Sequence, residues 1–103
     1  MQRMTDKILS LLGLAAKGRH VVSGEFSTDK AIKEFKACLV IVATDASDNT
    51  KKEFKDACSF YEVPYMEYGQ KETLGHAIGK EFRACVAVTD AGFANAVLKK
   101  YNE

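Results

Sequence analysis

Two short runs of almost entirely apolar residues, 38–44 and 83–89, constrain the fold of this chain more than any other feature. The first, Cys38-Leu-Val-Ile-Val-Ala-Thr44, is rich in β-branched residues and holds no polar residue between its ends. Such runs are typical of strands that are buried on both faces of a sheet. Both faces of that sheet must then be covered by other elements, which the rest of the chain has to supply.

Amphipathic helical patterns lie before, between and after these runs. Helices are predicted from a Thr5 cap to Gly18, from Ser23-Gly24 through residue 35, around 54–61, at 71–79 and at 93–101. In the second helix we expect the apolar face to point inward, with Ala31, Ile32 and Phe35. The lysines Lys30, Lys33 and Lys36 are expected to point outward. Further short extended pieces are predicted at 19–22 and 64–68.

The resulting alternation of helices and strands, with short connections, is typical of α/β proteins. We expect a three-layer α/β/α sandwich with a central mixed sheet of about four strands. A length of 103 residues suits one domain, covering residues 1–103. An apolar content of 47% with 28% charged residues excludes a disordered chain.

Localisation and cofactors are constrained by what the sequence lacks. No apolar run approaches the roughly 18 residues that a membrane-spanning helix needs, and the first six residues have no signal-peptide pattern. The three cysteines form no CxxC pair, which argues against a disulfide framework or a zinc site. We therefore expect a cytoplasmic protein with no cofactor and no metal.

Signals for catalysis are weak. His20 and His76 are the two histidines, and Glu72, one helical turn before His76, is spaced to pair with it. No third group is spaced to complete a metal site or a nucleophile, and all three cysteines fall at inward, apolar positions. The glycines near the N-terminus are too scattered for a phosphate-binding loop. We predict no catalytic residue.

A short internal repeat ends both apolar strands, since Thr-Asp-Ala occurs at 44–46 and again at 89–91. In one interpretation, Asp45 and Asp90 cap the helices that follow. In the other, two equivalent strand ends open onto one end of the sheet, where ligands bind in many such folds. The repeat itself identifies no ligand.

The net charge of +1 conceals an uneven distribution. Residues 1–36 carry seven Lys or Arg against four Asp or Glu, whereas residues 37–72 carry four against seven. A basic first third is compatible with a surface that binds a polyanion.

The strongest binding signal lies in this basic third. Lys17-Gly-Arg19-His20 places charges around a glycine turn, and Ser23-Gly24 then opens a helix. Unpaired N–H groups at a helix start, with a glycine that permits close approach, suit a phosphate or a base edge. Lys30 returns to the same face, so we predict an RNA-binding site. The alternative is a surface helix with solvated lysines.

A second candidate is the loop before the last strand, Gly79-Lys-Glu-Phe-Arg83. Phe82, beside Arg83, is suited to stack on a splayed base. In the alternative interpretation, Phe82 packs on the edge of the sheet.

Five stretches match, in order, the motifs of a known family: Leu11-Leu-Gly-Leu-Ala-Ala16, Val21-Val-Ser-Gly-Glu25, Asp45-Ala-Ser-Asp-Asn-Thr-Lys-Lys52, Leu74-Gly-His-Ala-Ile-Gly-Lys80 and Val86-Ala-Val-Thr-Asp-Ala-Gly-Phe-Ala94. The chain resembles the bacterial YlxQ-type proteins, homologues of the archaeal and eukaryotic ribosomal protein called L-seven-Ae. The similarity extends from Ile8 to Leu98.

This resemblance implies a fold that binds kink-turn RNA, a sharply bent duplex built around tandem sheared G·A pairs. It also implies that a Gly-x-Asn-Glu-x-x-Lys pattern at the start of the second helix reads those pairs in the major groove. The loop before the last strand is then expected to cover the splayed nucleotides. Gly24 and Lys30 fit the pattern, whereas Phe26 and Ser27 occupy its Asn and Glu positions.

We therefore expect a ribosomal-protein-like monomer that binds structured ribosomal or regulatory RNA, on the ribosome or elsewhere in translation, and no membrane. The expected RNA-binding residues are Lys17, Arg19, His20, Ser23, Gly24, Glu25, Phe26, Ser27, Lys30, Lys33, Lys80, Glu81, Phe82 and Arg83. The alternative is a protein-interaction module on the same fold that has lost specific RNA recognition. An aromatic at a helix start and the acidic middle third fit this alternative.

Overall fold

The computed structural model of the protein describes residues 6–103. Within this range helices and strands alternate in the order α1 (Lys7–Lys17), β1 (Val21–Ser23), α2 (Glu25–Lys33), β2 (Leu39–Val42), α3 (Asp48–Tyr61), β3 (Tyr65–Glu67), α4 (Lys71–Ala77), β4 (Cys85–Val88) and α5 (Ala91–Tyr101). None of these helices is long and apolar enough to cross a membrane.

The four strands form one mixed sheet in the order β1-β4-β2-β3. β2 and β3 are parallel, and β4 is antiparallel to both β1 and β2. Consequently β1, β2 and β3 all finish at the same end of the sheet, where β4 begins. We call this the helix-start end, because α2, α3 and α4 follow those three strands there.

Helices cover both faces of the sheet, as the apolar strands predicted. α1 packs on α4 and α5, whereas α2 packs on α3. Every residue of β2 and β4 is fully buried. Phe54 and Ile32 cover the sheet from α3 and α2, and Leu12 and Leu74 do so from α1 and α4; all four are fully buried. The three-layer α/β/α sandwich and its four-stranded mixed sheet are therefore confirmed.

The ends of α1 differ from the prediction. Thr5, the predicted cap, lies outside the described residues, and the Asp6 carboxylate accepts a hydrogen bond from the Leu9 N–H at 2.9 Å. At the other end, the left-handed residue is Arg19, at φ +65°, and not Gly18, at φ −85°. The helix therefore ends at Lys17 with Gly18 as its C-cap, and the chain reverses at Arg19, one residue beyond the glycine.

Phe35 does not point inward. α2 ends at Lys33, and Phe35 adopts φ +60° beyond it with 79% of its surface exposed. Helical spacing stops applying where the helix stops, so the face that holds the buried Ala31 and Ile32 does not extend to this ring. The lysines of the helix are exposed, as predicted.

The aspartates of the two Thr-Asp-Ala copies make different contacts. Asp90 caps α5 through the Phe93 N–H at 2.9 Å, as predicted. Asp45 instead accepts from the Lys71 N–H of α4 at 2.8 Å, and Ser47 caps α3. Because β2 and β4 are antiparallel, the two copies lie at opposite ends of the sheet. The interpretation that they open onto one end is wrong.

The loop between α4 and β4 depends on the absence of a side chain at Gly75. A Cβ on this buried residue would collide with the carbonyl group of Glu81. We expect Gly75→Ala to lower the free energy of unfolding by about 1–3 kcal/mol, because backbone has to move to relieve the clash. Chemical denaturation in urea measures this change.

Gly92→Ala in α5 is the matched control. Both substitutions place an alanine in a helix, but the new Cβ at Gly92 would meet only the Asp90 carboxylate that caps α5, 3.1 Å away, and this side chain can shift by a few tenths of an ångström where backbone cannot. Equal urea midpoints for the two variants would contradict the role assigned to Gly75.

Candidate nucleic-acid interface

α2 begins at a glycine because of the backbone conformation required there. Gly24 has φ +90°, a conformation that side chains disfavour, and its N–H donates to the Cys85 carbonyl oxygen at 3.0 Å. Its own carbonyl accepts the first helical bond, from Thr28 at 3.0 Å. Among residues 6–103, no side chain caps this helix start, and a Cβ on Gly24 would meet no atom within 4 Å. Within the described part of the chain, no hydrogen bond engages the N–H groups of Glu25, Phe26 and Ser27, so the first amides of α2 are unpaired.

The loop that precedes β4, residues 80–83, lies beside this helix start. β1 and β4 pair with Ser23 opposite Val86, so the chain entering β4 runs past the start of α2. Arg83 fixes the approach: its Nε donates to the Ser23 Oγ at 3.0 Å, and its Nη1 donates to the Phe82 carbonyl oxygen at 2.8 Å. The structure thus brings together the two candidate segments that the sequence separates by more than fifty residues.

Two large apolar side chains project from these segments. Phe26, in the first turn of α2, is 81% exposed, and Phe82 is 63% exposed. Lys80 and Glu81 beside Phe82 are exposed as well. The alternative in which Phe82 packs on the edge of the sheet is therefore wrong. Phe26 thus lies beside the unpaired amides of the α2 start, whereas Phe82 lines a cavity of about 390 Å³ with Glu72 and His76 of α4.

Glu25 ties the start of α2 to the start of α3. Its Oε2 accepts a hydrogen bond from the Thr50 hydroxyl at 3.2 Å, and Thr50 is itself bonded to Ser47, the α3 cap. A carboxylate in the first turn is stabilised by the partial positive charge of the helix start. Glu25 therefore has a positioning contact within the protein, in addition to its place in the candidate site.

Lys30 and Lys33 extend from α2 in weak surface ion pairs. Lys30 is 3.5 Å from Glu34 and Lys33 is 3.0 Å from Asp29, and more than half of each lysine side chain is exposed. The hydrogen bond and charge of Asp29 raise the pKa of Lys33. Because exposed pairs of this kind contribute little energy, both lysines are available to a competing phosphate.

Lys30 lies on the outer side of the edge strand β1. It lines a small cavity of about 190 Å³ with Val22, Ser27 and Thr89, among other residues. This cavity links the first turn of α2 to the C-terminal end of β4.

The basic loop is not part of the same cluster as the helix start. The Thr89 N–H donates to the His20 carbonyl at 2.8 Å, and the His20 ring lies 5.9 Å from that of Phe93. Lys17, Arg19 and His20 are therefore at the opposite end of the sheet from Ser23. The three residues of β1, about 10 Å of extended chain, separate them.

The predicted residues therefore lie at both ends of β1 and along α2, and do not form one compact cluster. We use the name β1 surface for these residues, which run from the loop before β4, through α2, to the end of α1: Lys80, Glu81, Phe82, Arg83, Ser23, Gly24, Glu25, Phe26, Ser27, Lys30, Lys33, His20, Arg19 and Lys17.

Two of the cysteine thiols are buried in the core. Burial raises the pKa of the Cys58 thiol to about 12 and that of Cys85 to about 11, so both remain protonated and unreactive at neutral pH. Within residues 6–103, no three His, Cys, Asp or Glu side chains are placed to hold a metal ion. His76 is exposed, and no hydrogen bond or ion pair within this range joins it to Glu72.

Sequence reasoning missed the contacts that hold the site together. Nothing in the sequence pairs Ser23 with Arg83, because their bond depends on the register between strands 60 residues apart. Thr50 was also missed, although it follows Asp45, the candidate cap of this helix, by five residues. Through these hydrogen bonds, Ser23 holds Arg83 in position and Thr50 holds Glu25 in position.

Comparison with known proteins places the chain among relatives of similar length. The RNA-binding protein YlxQ of Bacillus subtilis is 50% identical over 88 residues, which is 85% of this chain and 88% of that protein. The large ribosomal subunit protein eL30 of Trypanosoma brucei brucei is 30% identical over 89 residues, which is 84% of this chain and 85% of that protein.

Solved structures agree with the fold. A Bacillus halodurans protein described as having unknown function superposes with a TM-score of 0.93 at 40% identity, over 96% of this chain and all of that one. The 15.5kD RNA binding protein of Giardia lamblia shares the fold, with a TM-score of 0.80 at 23% identity, over 99% of this chain and 93% of that one. The model of the ribosomal protein L7Ae/L30e/S12e/Gadd45 family matches residues 6–98. The resemblance found in the sequence is thereby confirmed, and the chain belongs to this family.

Proposed function

We propose that this chain is a non-catalytic, single-domain RNA-binding protein that recognises kink-turn RNA through the start of α2 and the loop 80–83. The observation that carries the proposal is the contact between these segments, in which Arg83 bonds to Ser23 beside the uncapped helix start. Relatives named as RNA-binding and ribosomal proteins support it.

In this proposal the start of α2 and the loop 80–83 bind different parts of the RNA. The first amides of α2, together with Lys30, bind phosphate oxygens or guanine acceptors in the widened groove of the bent duplex. Phe82 covers the nucleotides that the kink splays apart. Lys17, Arg19 and Lys33 bind the phosphate backbone along the rest of the β1 surface.

Direct reading of the G·A pairs is expected to be weaker than the full motif would give. Phe26 has no hydrogen-bonding group and Ser27 has one hydroxyl, where the motif has an amide and a carboxylate. Loss of a bidentate contact removes about 1–3 kcal/mol of discrimination between bases. More of the specificity then has to come from the shape of the bent backbone.

The partner is a structured ribosomal or regulatory RNA, bound in the cytoplasm by one copy of the chain, on the ribosome or as a factor that associates with it. These assignments extend the proposal from the ribosomal relatives to this chain.

A protein-interaction module is the second candidate, favoured by exposed aromatic side chains. Phe26 is 81% exposed, and Phe35 and Phe60, which lie far from the start of α2, are about equally exposed. An apolar contact between proteins changes little with salt, whereas binding to RNA weakens steeply.

The first test is a gel-shift titration of a kink-turn RNA and of the same RNA with G·C pairs in place of its sheared G·A pairs. We expect at least about tenfold tighter binding to the kink-turn RNA, and a loss of about a hundredfold between about 50 and 200 mM salt, because about four basic side chains contact phosphates. Equal, weak binding to both RNAs would contradict kink-turn recognition.

Lys30→Ala is expected to weaken binding several-fold at matched salt, because one phosphate or base contact is lost. Lys52→Ala is the matched control: Lys52 is also an exposed lysine in an i,i+4 pair, with Asp56 at 2.8 Å, but it lies on α3. Equal affinities of the parent and Lys30→Ala would show that α2 does not form the site.

Ser23→Ala tests the position of the loop while keeping the charge of Arg83. Loss of the 3.0 Å hydrogen bond is expected to cost about 1 kcal/mol, or about fivefold in RNA affinity, because the loop is held less firmly. The salt dependence of binding is expected to stay unchanged, since no cation is removed. A changed salt slope in fluorescence-anisotropy titrations would contradict a positioning role.

A further inference from the structure

The four most exposed phenylalanines of the described residues fall into two groups. Phe35 and Phe60 both contact the ring of Tyr61 edge to face, at centroid distances of 5.6 and 5.0 Å. Phe26 and Phe82 take part in none of the ring contacts within residues 6–103. Of these four exposed rings, the two that lack an aromatic partner, Phe26 and Phe82, lie at the helix-start end of the sheet.

Packing does not explain Phe26. With 81% of its surface exposed, it contributes almost nothing to the core. A polar residue would satisfy this position of α2 equally well, and would avoid an exposed apolar surface. The unusual feature is thus an aromatic ring that the fold does not use.

The surroundings of this ring indicate what it contacts. The amides of Glu25, Phe26 and Ser27 form the uncapped start of α2, which favours negatively charged or acceptor groups. A nucleotide offers both a phosphate for such amides and a flat base for a neighbouring ring. An apolar protein segment would leave the helix-start donors unsatisfied.

We propose that Phe26 stacks on an unpaired base of the bound RNA, adjacent to the phosphate or base edge held at the start of α2. This inference rests on the proposed function and specifies its ligand as an RNA with an unstacked base at that point. Phe26 then selects for the presence of a base rather than for its identity, since every base has a face that stacks.

The test compares the parent, Phe26→Leu and Phe60→Leu on kink-turn RNAs that are intact or carry an abasic site at one unpaired position. Leucine keeps an apolar side chain but removes the ring face. Phe60 is the matched control, because it is 80% exposed and lies at the far end of α3, about 18 Å from that helix's start.

We expect Phe26→Leu to bind the intact RNA about tenfold more weakly than the parent, and Phe60→Leu to bind like the parent. At one unpaired position, removal of the base should weaken the parent by a similar factor and leave Phe26→Leu unaffected, because ring and base act as one pair. Phe26→Trp should retain the parent's affinity. Urea denaturation verifies that the variants remain folded.

Two outcomes overturn the inference, and they are distinguishable. If the parent prefers the kink-turn RNA but Phe26→Leu binds it equally well, stacking by Phe26 is wrong and the proposed function stands. The same conclusion follows if the affinity of Phe26→Leu falls on every abasic RNA by the same factor as that of the parent. If the parent does not prefer the kink-turn RNA, the proposed function fails and this inference fails with it.

Discussion

The antiparallel pairing of β1 with β4 is the interaction on which the candidate interface depends. It places Ser23 opposite Val86 and lets the Gly24 N–H bond to the Cys85 carbonyl at 3.0 Å. Because side chains alternate along a strand, a slip of one residue would turn Ser23 away and break its bond to Arg83. The backbone hydrogen bonds between β1 and β4 thus position the loop 80–83, which carries Phe82, against the start of α2. The start of α2 itself contributes few side-chain contacts.

Local patterns in the sequence predicted most of the architecture. The apolar runs at 38–44 and 83–89 became the two fully buried strands, because a continuous apolar segment has no polar face to expose. The helix start at Gly24 was also predictable, because Ser23-Gly24 combines a turn residue with a helix start. The composition of the candidate site, including Phe82 and Arg83, was also visible in short segments.

These local patterns did not predict how segments that are distant in the sequence lie relative to one another in the fold. The basic loop and the helix start are neighbours in sequence, but β1 is extended and carries Arg19 and Gly24 to opposite ends of the sheet. Asp45 caps no helix of its own, since its partner, the Lys71 N–H, follows a different strand. Phe35 was assigned to the core by periodicity, and only the position of the helix end shows otherwise. The first two errors replaced a tertiary relation with a local one, and the third extended the helical period past the end of the helix.

The two outer strands of the sheet, β1 and β3, are three residues long, whereas the inner strands have four. A strand at the border of a sheet exposes backbone groups that recruit strands from other molecules. Three residues offer too few such groups to template an extended ladder. Strand exchange and fibril growth are therefore poorly supported by this sheet, and the exposed border along β1 can remain uncovered without joining one copy to the next.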